Sequence, residues 1–209
     1  LNELIEIFEV KFFEEKIRAS EYSWNIANLL ETVKKIGYSG YTELIEKFEV
    51  KFFEEKIRGL EDPSGIAYLL ETLHNIDYSG FTELIEKFEV KFFEEKIRGW
   101  ENPMGIAYLI KTLEDIMYSK LNELIEKFEV KFFEEKIRWW KDPIGIANLL
   151  ETLHNIGYSG FNELIEKFEV KFFEKKIRGL KDPRDIADLL ETLKKIGYSK
   201  LNELIERIM

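Results

Sequence analysis

The chain has 209 residues, 45% of them hydrophobic, with 41 acidic and 31 basic side chains and a formal net charge of -10. That apolar content supplies a continuous core and excludes disorder, while the acidic balance disfavours a phosphate-binding footprint for nucleic acid. The absence of cysteine excludes disulfides, thiolate metal sites and cysteine nucleophiles, and fits a reducing compartment or deliberate engineering.

No apolar run approaches the roughly 20 residues that span a bilayer, and the opening Leu1-Asn2-Glu3-Leu4 lacks the basic-then-apolar pattern of a signal peptide. A soluble, cytoplasmic protein with no membrane partner is expected.

Written in rows of 40, the sequence aligns Leu1, Tyr41, Phe81, Leu121 and Phe161, and a sixth row runs only from Leu201 to Met209. The repeats are 1–40, 41–80, 81–120, 121–160 and 161–200, closed by a helix at 201–209, all within one domain, 1–209. Exact periods of 20 to 50 residues mark solenoids, in which each unit buries its apolar faces by stacking on its neighbours.

The second row serves as the type. Its first helix is predicted from Glu43 through Arg58. Tyr41, Leu44, Ile45, Phe48 and Phe52 share one face, and Val50, Phe53 and Ile57 form a second. Two stripes predict a helix sandwiched between neighbours. Phe48, Val50 and Phe52 also alternate as a strand would, but Glu43/Lys47, Lys51/Glu55 and Glu54/Arg58 are spaced as i,i+4 ion pairs of a helix.

Gly59-Leu60-Glu61-Asp62-Pro63 then breaks the helix, with Asp62 placed as N-cap and Pro63 in the first turn of the next. Ile66, Leu69, Leu70, Leu73 and Ile76 make the apolar stripe of that second helix, leaving Ser64, Tyr68, Glu71 and Asn75 opposite. Gly37, Gly157 and Gly197 stand where a left-handed residue ends the helix, and Ser79 is the predicted N-cap of the following unit. Asp77 and Met117 occupy the glycine slot, so strained or differently capped turns are expected there.

Architecturally the helix–turn–helix unit resembles those of tetratricopeptide and HEAT-type repeat proteins. The tetratricopeptide pattern of Trp, Leu-Gly, Tyr, Ala, Phe and Pro is absent, as is the ankyrin Thr-Pro-Leu-His. The resemblance to the α-solenoid class covers the whole chain. It implies an all-α, right-handed α-α superhelix of five helix-pair repeats and, as a class property, protein or peptide binding.

Phe-Glu-Val-Lys-Phe-Phe-Glu, beginning at Phe8, Phe48, Phe88, Phe128 and Phe168, never changes among the copies. Close packing accounts for the phenylalanines but not for the charged residues between them, whose identity points to recent duplication or consensus-style construction. Variation concentrates in three columns, joined by Trp139: Trp24, Ser64, Met104, Ile144 and Arg184; Asn28, Tyr68, Tyr108, Asn148 and Asp188; and Ser20, Leu60, Trp100, Trp140 and Leu180. Stacked at about 10 Å per layer, they would line a surface on the order of 50 Å long, rich in the Trp, Tyr, Met and Arg of binding faces. Tolerant loop and surface positions are the alternative account.

Chemistry for catalysis is absent from the pattern, so no enzyme activity and no cofactor are expected. His74 and His154 share a position that elsewhere holds Lys34, Glu114 or Lys194, as solvated residues do. Glu43 and Glu46 recur in carboxylate spacing but lack the Glu-x-x-His of di-metal bundles, so no metal is expected. No glycine-rich phosphate loop follows a strand. Lys56-Ile57-Arg58 beside aromatics resembles a base-reading helical repeat, but the net charge and the adjacent Glu54-Glu55 oppose it.

The expected function is a non-enzymatic scaffold that binds a protein or peptide through the second helices and their preceding loops. The candidate residues are Trp24, Asn28, Leu60, Ser64, Tyr68, Trp100, Met104, Tyr108, Trp139, Trp140, Ile144, Asn148, Arg184 and Asp188. The alternative is a purely structural or engineered repeat array that self-associates end to end, with no dedicated ligand. Ile7 in place of Lys47, together with Phe8, Phe12 and Phe13, leaves the first face uncapped, so end-to-end self-association is expected.

Overall fold

The computed structural model of the chain describes residues 8–209; Leu1 and Ile7, singled out above, lie outside the described residues. No strand occurs among the described residues. The helices are α1 (Val10–Ala19), α2 (Ser23–Lys35), α3 (Tyr41–Glu46), α4 (Val50–Arg58), α5 (Pro63–Asn75), α6 (Phe81–Glu86), α7 (Val90–Gly99), α8 (Pro103–Asp115), α9 (Leu121–Ile125), α10 (Val130–Trp139), α11 (Pro143–Asn155), α12 (Phe161–Glu166), α13 (Val170–Arg178), α14 (Pro183–Lys195) and α15 (Leu201–Ile208).

They fall into two compact units, Leu1–Phe93 and Glu94–Met209, whose boundary lies inside α7. In the first unit α2 packs on α5, while α1 packs on α3 and α4 on α6. In the second, α11 lies between α8 and α14, and the first-arm helices meet as α10 with α12 and α13 with α15. Within each unit second helices therefore stack on second helices, and α1, α4, α10 and α13 each meet the short helix that opens the next repeat. Leu44, Phe48, Phe53 and Ile57 are buried from the first arm, and Ile66, Leu69, Leu70 and Leu73 from the second helix.

The first arm is not one helix. It stops at Glu46, and a new helix starts at Val50 after Glu49, which is extended at φ -73 and ψ 157. The two apolar stripes are not the faces of one sandwiched helix: Tyr41, Leu44 and Ile45 lie on α3, Phe48 falls in the break, and Phe52 lies on α4 with Val50, Phe53 and Ile57. The break lets Leu44 and Phe48 bury with one axis while Phe53 and Ile57 bury with the other. All three anticipated ion pairs form, Glu43–Lys47 at 3.5 Å, Lys51–Glu55 at 3.8 Å and Glu54–Arg58 at 2.8 Å. The first of them closes over the helix end.

Asp62 caps α5 by accepting from the Ser64 N–H, and Asn102, Asp142 and Asp182 repeat this at α8, α11 and α14. Each has proline in the first turn, where a missing N–H costs nothing. The C-terminus of α5 closes with the Asp77 N–H donating to the His74 carbonyl and the Tyr78 N–H to that of Leu73. This is the bond pair that requires a left-handed residue. Gly37, Gly157 and Gly197 supply it at φ near 70, and Asp77 and Met117 are forced to φ 56 at the same place, as the missing glycines foretold.

Ser79 does not cap the next helix. The chain runs one residue further, Gly80 takes the N-cap position of α6, and no side chain bonds the free N–H groups there. No helix among the described residues is long and apolar enough to cross a membrane.

Candidate binding surface

The helix break frees backbone carbonyls, and invariant side chains take them up. Arg18 donates from Nη2 to the Lys47 carbonyl at 2.8 Å, and Tyr78 donates its hydroxyl to the Phe48 carbonyl at 2.9 Å. Arg18 is held by Glu14 at 2.8 Å and lies over the Phe48 and Phe52 rings at 5.1 and 5.5 Å. The same arrangement joins Arg138 to Glu134, to the Lys167 carbonyl and to the Phe168 ring. Lysines cap the ends of the preceding first arms: Lys56 donates to the Ser20 carbonyl, Lys136 to that of Trp100 and Lys176 to that of Trp140.

Glu49 and Lys51, the charged residues between the phenylalanines, are exposed, whereas the charged residues that follow them are bonded across repeats. Glu54, Lys56 and Arg58 recur because each satisfies a partner in the neighbouring repeat or holds the group that does. Lys56 and Arg58 of the Lys-Ile-Arg cluster thus make bonds to neighbouring repeats.

The variable positions divide into those that meet and those that do not. In the first unit, Trp24 is 59% exposed and stacks on Tyr68 with ring centroids 4.3 Å apart, and the Tyr68 hydroxyl donates to Asn28 at 3.0 Å. Burial and the nearby Glu31 and Glu71 raise the pKa of that hydroxyl. Leu60 and Ser64 are half-buried beside this pair of helices.

In the second unit, Trp100 and Trp140 are half-buried, each with an indole N–H that is enclosed and lacks an acceptor. Trp140 fits because Gly145 has no side chain: a Cβ there would come within 2.9 Å of the indole nitrogen. Met104 is exposed at the start of α8, and Tyr108 and Ile144 are half-buried. Asn148 and Asp188 are exposed, while Arg184 folds back onto its own cap, Asp182, at 2.7 Å. His74 and His154 are exposed and lie against Phe81 and Phe161, at 5.3 and 5.1 Å.

Trp139 stands apart from all of these. It is 85% exposed at the C-terminus of α10, where the other repeats carry Ala19, Gly59, Gly99 and Gly179. Two clefts flank it. One, of about 620 Å³, is lined by Glu101, Glu135, Lys136, Trp139, Trp140 and Lys141 among others. The second, of about 550 Å³, includes Arg138, Trp139, Lys141, Phe172, Lys175 and Lys176.

The clefts are the same structural place one repeat apart. Glu101 corresponds to Lys141, Glu135 to Lys175 and Lys136 to Lys176. Desolvation lowers the pKa of both capping lysines. In the first cleft Glu101 and Glu135 oppose that shift, whereas in the second Lys175 adds to it.

Lys141 and Lys175 were missed among the candidate residues because they are neither aromatic nor in the three variable columns. A comparison of charge sign down the repeat carries the signal: Glu21, Glu61, Glu101, Lys141 and Lys181 at one position, and Glu15, Glu55, Glu95, Glu135 and Lys175 at another. No protein-family model, curated protein or solved structure matches the chain.

Proposed function

We propose that the chain is a non-enzymatic helical-repeat scaffold that binds a protein or peptide segment. The observation that carries this is Trp139, a large apolar side chain held out between two concavities at a position where every other repeat has alanine or glycine. An exposed indole set between clefts has the chemistry of a binding anchor. Trp24 with Tyr68 offers a second aromatic platform, on the first unit.

Selection of a random peptide display library on the full chain tests the proposal. A convergent motif whose retention falls at least tenfold on Trp139→Ala or Trp24→Ala, with helicity unchanged, is the expected result. Absence of any convergent motif overturns it.

A second role, self-association, has its own observation. Phe8 and Phe12 are 43% and 39% exposed, whereas their counterparts under Arg18 are covered, Phe48 being 2% exposed and Phe52 half-buried. A second copy is one cover for such a face. Light scattering over a concentration series decides it: a rising mass that Phe8→Ser with Phe12→Ser suppresses is expected, and a constant 25 kDa particle rules it out.

A further inference from the structure

Resting on the peptide-binding role proposed above, we infer that the cleft between the fourth and fifth repeats takes an acidic peptide segment, with an apolar residue of that segment seated on Trp139. Three departures from the repeat meet at this one place. Trp139 replaces glycine or alanine, and Lys141 and Lys175 replace the glutamates of earlier repeats.

The paired reversal does not serve the fold. At the equivalent sequence positions the earlier repeats have Glu21 and Glu55, Glu61 and Glu95, and Glu101 and Glu135; here they are Lys141 and Lys175. An internal ion pair would need one of the two to change, yet both did, so like charge is kept and its sign inverted. Lys175 also loses a local partner. Lys11–Glu15, Lys51–Glu55 and Lys131–Glu135 are i,i+4 ion pairs, and Lys175 instead follows Lys171 at that spacing.

Neither Lys141 nor Lys175 has a carboxylate within ion-pair distance among the described residues, and both are exposed. Arg138 and Lys176 are already engaged with Glu134 and with the Trp140 carbonyl. Two uncommitted ammonium groups beside Trp139, Phe172 and Leu180 therefore complement carboxylates interleaved with apolar side chains. A long polyanion is disfavoured, since the chain carries a net charge of -10.

The test is fluorescence anisotropy with two labelled 12-residue peptides, one alternating Glu with Leu and Phe, the other with Gln in place of every Glu. The acidic peptide is expected to bind the full chain at least tenfold more tightly than its neutral counterpart, and to weaken as salt is raised. Lys141→Glu with Lys175→Glu restores residues that the earlier repeats carry, so folding is preserved, and it is expected to remove that preference. Lys120→Glu with Lys194→Glu makes the same change in net charge outside the cleft and is expected to leave binding within twofold.

Equal binding of both peptides, both lost on Trp139→Ala, overturns the acidic preference while the peptide-binding role survives. Failure of the acidic peptide to bind, or its undiminished binding to the Lys141→Glu, Lys175→Glu variant, also overturns the inference; the display selection then decides the broader role separately. A doubled mass by light scattering that the same variant abolishes would assign the cleft to a second copy, and overturns it too.

Discussion

The clefts on either side of Trp139 are built by the same frame and differ in sign. In both, a lysine from the later repeat, Lys136 or Lys176, caps the carbonyl of a tryptophan, Trp100 or Trp140. Around that shared bond one cleft carries Glu101 and Glu135 and the other Lys141 and Lys175. The frame is fixed because its groups are buried or bonded, and the rim is free because its charges reach water. Positions that change while their geometry stays constant are where a repeat protein differentiates one binding place from the next.

The comparison breaks first if the frames are not equivalent. Phe133 and Phe173 are fully buried counterparts on α10 and α13, the helices that carry Lys136 and Lys176. Each changed to alanine is expected to cost about 3–5 kcal/mol, and chemical denaturation should place the two within 1 kcal/mol of each other if the frames match.

Gly145→Ala separates the clefts more finely. The added methyl meets the Trp140 indole, whose ring lines the acidic cleft while its carbonyl is the one that Lys176 caps at the basic cleft, and about 1–3 kcal/mol of overpacking is expected. Thermal unfolding should show the loss, while binding at the basic cleft is retained.

Tyr158 and Tyr198 each donate to a carbonyl at a helix break, those of Phe128 and Phe168. Tyr158→Phe leaves the Phe128 carbonyl unpaired, at about 1–2 kcal/mol. Burial, with Glu203 and Glu169 nearby, pushes the Tyr198 hydroxyl up to about 12 from 10.0. A raised folded pKa favours the neutral phenol, so this stabilisation is whole below pH 10 and lost as pH rises toward 12. A pH titration of unfolding should show that slope, and Tyr198→Phe should flatten it.

The smallest effects have the opposite sign. Met117→Gly relieves a left-handed backbone at φ 56 and is expected to stabilise by about 0.5–1 kcal/mol. Lys175→Glu restores an i,i+4 pair with Lys171 and should gain about 0.2–0.5 kcal/mol, measured by denaturant midpoint, even as it removes the basic rim. A gain of stability there would mean that lysine stands at this position against the preference of the fold.

Much of the molecule is legible in the sequence because its signals are local or periodic. The 40-residue repeat, the all-helical class, the Asp62-Pro63 start of α5 and the left-handed turns at Asp77 and Met117 follow from spacing and backbone sterics alone. The break at Lys47-Phe48-Glu49 was harder to see, although its signal lay in Phe48, Val50 and Phe52, which are weaker helix formers than the residues around them. The strand-like alternation at those residues corresponds to no strand among the described residues, and Val50 and Phe52 lie within α4.

What only the tertiary structure decided is the use of each invariant charge and the place of each variable one. Arg18 reaches a carbonyl 29 residues away and Tyr78 one 30 residues away, separations at which side-chain periodicity says nothing. In the same way Trp139, Lys141 and Lys175 are scattered along two repeats and become one site only when α10 and α13 are folded side by side. Sequence determined the elements because helix and turn preferences act within a few residues. Packing determined the surface because a cleft exists only between segments that the chain itself keeps apart.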